Sequence, residues 1–222
     1  MKKLLVYGVV LLLLLCVGTA RADSTFNFDP GNTFSGTAPT GFMTAVFSDV
    51  TGGVQLVLAS SLGTGENLDP GKAFYFNINP GLVLSLSNPL FALTANTGFS
   101  EAATVMTAAD AYKADGDGLY DIKFTYASST KAFTSGQSQT YLITYSGSPI
   151  RASDFNYLSE GKAGWYAAMH VQNVSGGTES AWVGANMPVP EGESSIWFTI
   201  LGMAGVLGLS KVLKARIDSP AV

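Results

Sequence analysis

The residues whose types and spacing suit chemistry are carboxylates. Asp115-Gly116-Asp117-Gly118 is followed by Asp121, so acids fall at positions 1, 3 and 7 of a short stretch with glycines between them. A hard cation collects oxygens from a tight bend, and calcium-binding turns begin with acids at this spacing. An EF-hand loop would close with a glutamate at its twelfth position, where this chain has Tyr126. The same residues also suit a polar hairpin turn, because Asp-Gly accepts the backbone of a sharp reversal. Asp115, Asp117 and Asp121 are therefore either candidate calcium ligands or a turn leading into the next strand. Calcium is the only cofactor this pattern suggests.

Other candidates are weaker by type or spacing. His170 is the only histidine, on the face opposite Trp165, Ala167 and Met169 in an alternating run. No Gly-x-Ser-x-Gly elbow frames a serine, so the histidine reads as a structural or surface residue. Glu66, Glu101, Glu160 and Glu179 are the acids a glycosidase would pair, but their spacing pairs none of them. Exposed aromatics bind glycan through their flat faces, which makes Tyr157, Tyr166 and Trp182 glycan-contact candidates, with Tyr75 and Trp165 beside them in the sequence pattern. Asn173-Val174-Ser175 fits a glycosylation sequon but has Val171, not an acid, two residues upstream. The expectation is a protein with no catalytic residues; the alternative is a secreted polysaccharide-binding or polysaccharide-hydrolysing protein.

Short strands would position these residues. Val54, Leu56 and Leu58 alternate with polar or small neighbours, as do Phe74, Phe76 and Ile78. The same period of two runs through Tyr120, Ile122, Phe124 and Tyr126, through Tyr141, Ile143 and Tyr145, and through Trp165, Ala167, Met169 and Val171. That period marks strands with one buried face. Thr51-Gly52-Gly53, Asp69-Pro70-Gly71, Asn79-Pro80-Gly81, Ser146-Gly147-Ser148-Pro149 and Ser175-Gly176-Gly177 separate them as turns. The pattern predicts an all-β fold, a single antiparallel β-sandwich of jelly-roll type. The alanines of Glu101–Tyr112 predict a short helix or an irregular loop there.

The two ends carry a different signal. Lys2 and Lys3 precede the apolar run Leu4–Val17, and Ala20 and Ala22 stand at −3 and −1 before Asp23. This is a secretory signal peptide over residues 1–22, cut before Asp23. Its removal takes away Cys16, the only cysteine, so the mature chain has no disulfide and must be held by its core. Residues 23–186 form the expected exported domain, long enough for a real core. Between Asp23 and Pro190 there are 6 bases and 13 acids, a balance of −7. Nucleic acid needs concentrated cations, so it is not an expected partner.

At the other end, Met187-Pro188-Val189-Pro190-Glu191 and a spacer (187–195) precede an apolar run from Ile196 through Leu213. Trp197 stands at its outer edge, and Lys211, Lys214 and Arg216 at its inner edge. An aromatic outside and cations inside predict a transmembrane helix over 196–213, with a basic cytoplasmic tail over 214–222 and the body outside. The prolines keep the motif extended, so a processing enzyme meets an unfolded, accessible segment.

Val189-Pro190-Glu191, the spacer, the apolar helix and the basic end resemble a PEP-CTERM sorting signal. Gly192 stands where that family usually has a second proline, and the tail continues past the cations as Ile217–Val222. Ala114–Phe124, Ala168–Asn173 and Ser180–Gly184 resemble stretches of PEP-CTERM proteins as well. The resemblance implies an exosortase-like processing enzyme as partner, in a Gram-negative bacterium that makes exopolysaccharide. It further implies transient anchoring in the inner membrane with a periplasmic body, and a final location at the cell surface or outside the cell. The implied role is that of a non-catalytic surface or biofilm-matrix protein, associated with exopolysaccharide.

Overall fold

The alternating runs become strands in the computed structural model, which describes residues 23–82, 84–85, 88–98, 101–127, 133–161, 164–186 and 189–190. The signal segment with Ala20 and Ala22, Glu191, the apolar run 196–213 and the basic tail lie outside the described residues. In chain order the strands are Asp23–Phe28 (β1), Thr33–Gly36 (β2), Phe42–Val50 (β3), Gly53–Ser61 (β4), Asn67–Leu68 (β5), Phe74–Phe76 (β6), Leu90–Thr97 (β7), Thr104–Lys113 (β8), Leu119–Thr125 (β9), Ser138–Thr144 (β10), Ala167–Val174 (β11), Glu179–Ala185 (β12) and Val189–Pro190 (β13).

They form two antiparallel sheets. One runs β13-β1-β3-β4-β10-β7 and the other β2-β12-β11-β6-β9-β8, with β5 added beside β11. Inward residues from both sheets build one apolar core: Phe26, Phe47, Leu56 and Tyr141 from the first, Phe76, Ile122, Phe124 and Met169 from the second. Ring contacts bridge the sheets, with Phe47 against Phe76 at 5.3 Å, Phe26 against Phe76 at 6.0 Å and Phe124 against Tyr141 at 5.5 Å. Edge-to-face rings at these distances add to what their buried area contributes. This is the all-β sandwich expected from the period-two runs.

Two expectations need correction. Residues 104–113 are strand β8, not a helix or an irregular loop. The ladder to β9 pairs Thr104 with Thr125 and Lys113 with Leu119, and it outweighs the helix preference of the alanines. A bulge between Thr107 and Tyr112 bends β8, with Asp110 at φ 50°. Val189–Pro190 is extended, as its prolines require, but it is not loose: Val189 lies opposite Thr25 and Pro190 opposite Ser24. The segment assigned to the sorting motif therefore continues the first sheet beyond the expected body.

Candidate functional site

The outer face of the second sheet carries a cluster separate from the main core: Tyr75, Ala114, Tyr120, Ala168 and Trp182, with Phe34 and Tyr112 packed on it. Strand register brings the members together. His170 on β11 is directly opposite Trp182 on β12, which faces Ser35 on β2. One step along, Ala168 lies between Gly184 and Tyr75, and Tyr75 is opposite Lys123. Directly opposed residues on one sheet face are close enough for their side chains to interact.

The rings form a continuous stack. Trp165 lies on Phe34 (6.2 Å, 22°), Phe34 on Trp182 (6.3 Å, 28°), and Trp182 on His170 (4.6 Å, 32°). Gly184 makes room for Trp165, because a Cβ there would sit 2.1 Å from the indole. Two cations cover the stack, with Lys72 Nζ 5.9 Å from the Trp182 ring centre and Lys123 Nζ 5.8 Å from that of Tyr75. Ammonium groups at such distances are drawn to the ring face.

Asp69 organises the polar end. Its Oδ1 accepts the Gly71 amide and caps the 3-10 turn Pro70–Lys72; its Oδ2 lies 2.9 Å from His170 Nδ1. A carboxylate only accepts, so Nδ1 carries the proton and the neutral ring keeps its lone pair at Nε2. Burial lowers the His170 pKa below its ordinary value; Asp69, and to a lesser degree Asp115, oppose this. Burial also pushes the phenols of Tyr75 and Tyr120 well above their usual range.

Asp117 closes the other end. It is 4 % exposed, and its Oδ2 accepts from the Tyr120 hydroxyl at 2.5 Å, Ser159 Oγ at 2.9 Å and the Trp165 amide at 3.4 Å. It thus pins the segment bearing Trp165 over the cluster. The Asp-Gly-Asp-Gly stretch is a turn, with the Asp117 amide donating to the Ala114 carbonyl and Gly116 at φ +91°. Gly118 is required by packing, since a Cβ would meet the Glu160 carbonyl at 2.3 Å.

The structure separates the three candidate calcium ligands. Asp115 is exposed, and Asp117 binds the donors just named. Asp121 serves elsewhere: its Oδ2 accepts from the Ile78 amide at 3.0 Å and its Oδ1 from Asp110 in the β8 bulge at 2.8 Å. Burial raises the Asp121 pKa, and these two amides counter the rise. Among the described residues no group of three or more His, Cys, Asp or Glu is arranged to hold a metal ion.

The glycan-contact candidates also part company. Tyr157 is 37 % exposed, Tyr166 packs against the main core, and Trp182 is 4 % exposed inside the stack. Trp182 offers no open face to a sugar, because His170, Phe34 and Tyr75 already cover it. Glu66 spends both oxygens on loop donors, Oε1 on the Thr40 amide and hydroxyl and Oε2 on the Gly63 amide. Asn173, in the sequon, donates to Asn67 Oδ1 at 2.5 Å.

Sequence reasoning missed Asp69, Phe34 and Lys72. In the sequence Asp69-Pro70-Gly71 shows only a turn, because the second use of its carboxylate lies 101 residues away in the chain. It also missed an open cleft of about 580 Å³ at one end of the sandwich, lined by Asp49, Val50, Tyr145, Pro149, Ile150 and Arg151. Arg151 is the only arginine between Asp23 and Pro190. The signal available in the sequence was that single arginine beside a Gly-Ser-Pro turn. Compared with known protein families, curated proteins and solved structures, the chain matches none.

Proposed function

We propose that this chain is an exported, non-catalytic protein of the cell surface or extracellular matrix, associated with exopolysaccharide and sorted through its C-terminal segment. The observation that carries the reading is the order Val189-Pro190-Glu191, apolar run, cations, behind a signal peptide at the other end. In this reading the apolar run holds the chain in the inner membrane, with the body in the periplasm, until an exosortase-like enzyme processes the tail.

A binding role is favoured by how Asp69, Asp117 and Glu66 are used. Asp69 orients His170 and caps a turn, Asp117 pins a loop, and Glu66 holds two loop amides. Each of these acids has structural work that a reacting group would have to leave. The cleft with Tyr145 and Arg151 suits a polysaccharide bearing acidic sugars, since a guanidinium binds a carboxylate in bidentate fashion.

The experiment is to add the purified body, residues 23–190, to polysaccharide from the producing cells. Co-sedimentation with no rise in reducing ends is the expected result. A steady rise in reducing ends would establish the hydrolase alternative instead.

A further inference from the structure

The charges of the body are not shared evenly between its two sheets. Strands β4, β10 and β7 contain no Asp, Glu, Lys or Arg. Their neighbours β3 and β1 carry one acid each, and Asp49 of β3 is committed to the Ala152 amide. On the outward side of these five strands the one charge is Asp23, at a corner opposite Ser48. Register lines the outward residues up in rows, so that Thr25, Val46, Val57, Thr140 and Ala95 lie side by side across all five strands. Val46 and Val57 are half-buried and stand outside the main core. Phe42 and Leu90, 50 % and 54 % exposed, begin β3 and β7 on the same side, since Met43 and Phe91 beside them point to the core.

We propose that this outer face of the first sheet is where two copies of the chain meet, packed face to face about a two-fold axis. Charge selects the occupant. The body balance is −7, so most approaches of one copy to another bring acids together, whereas this face brings none to its centre. A two-fold contact sets the same patch against itself, which an uncharged patch satisfies without further matching. Acidic sugars and anionic lipid need cations, and the five strands have none on this side. Size agrees as well. Five strands ~4.8 Å apart, rising ~3.4 Å per residue over six to nine residues, make a face of roughly 600 Å² before its corrugation is counted. That is comparable with the ~800 Å² each partner gives to a standard interface. Neither the sorting signal nor the cleft at Arg151 enters this inference.

Sedimentation equilibrium of the purified full chain in detergent tests it. The wild type should be a dimer. Val57→Lys places a cation at the middle of the face and should weaken self-association at least about tenfold, because two like charges then meet across the axis. Thr140→Lys, next to it in the same row, should do the same, so the test stands if one variant fails to fold. Gln172→Lys, on β11 of the second sheet, should leave the dimer intact. A cooperative thermal transition in each variant shows that the sandwich is kept. A monomeric wild type overturns the proposal. So does a dimer that survives both Val57→Lys and Thr140→Lys, which would place the contact at a sheet edge or in the apolar run, and so does a dimer lost in Gln172→Lys.

Discussion

A chain carrying Pro190→Ala and Glu191→Ala is expected to accumulate as a full-length, membrane-bound precursor. The substitutions remove the proline that keeps the segment extended and the acid that completes the motif. They leave intact the apolar run and the cations that, in the proposed function, hold the chain in the bilayer. Truncation after Glu191 should do the opposite and release the body into the periplasm or medium. The body's balance of −7 gives it no attraction to an anionic membrane surface. Cell fractionation and blotting of both variants reads the outcome. Wild-type processing of the double variant would make the motif incidental and the segment only an anchor.

The largest loss of stability is expected from Phe76→Ala. Phe76 is 1 % exposed and its ring meets Phe26, Phe28, Phe47, Phe74 and Phe124, joining both sheets. Removing a fully buried phenyl costs about 4 kcal/mol in lost transfer energy and cavity formation. Stabilities of single domains run to ~5–15 kcal/mol, so this is a large share. The sequence has one cysteine, Cys16, so no intrachain disulfide offsets it. Thermal unfolding of the body should show Tm lowered by roughly 8–16 °C. Tyr157→Ala, at a side chain 37 % exposed, should change stability by no more than about 0.5 kcal/mol. Similar Tm values for the two variants would contradict the placement of the core.

The sandwich was legible because its strands obey period two. Val54, Leu56 and Leu58 are all fully buried, as are Tyr141 and Ile143 to within 1 %. β8 was not legible, because its alanines favour a helix locally and only the distant partner β9 makes it a strand. The site was legible in part. His170 does lie on the face opposite the core residues Ala167 and Met169, but Trp165, which alternation put with those two, lies before β11 and joins the His170 face through Phe34 and Trp182. Its partner Asp69 was hidden by chain distance, and the stack on Trp182 depends on how β2 and β12 align. The aspartates 115, 117 and 121 looked like one group because sequence spacing does not record direction. In the fold, Asp121 turns to the amides of Ile78 and Asp110, while Asp117 binds Tyr120 and Ser159.

The most direct test of the sorting account is the intact mass of the native protein recovered from the cell surface or medium of the producing organism. The account predicts a chain that begins at Asp23 and lacks the apolar run 196–213, whatever is attached at the new end. Recovery of a chain that retains Leu4–Val17 or Ile196–Leu209 would contradict it.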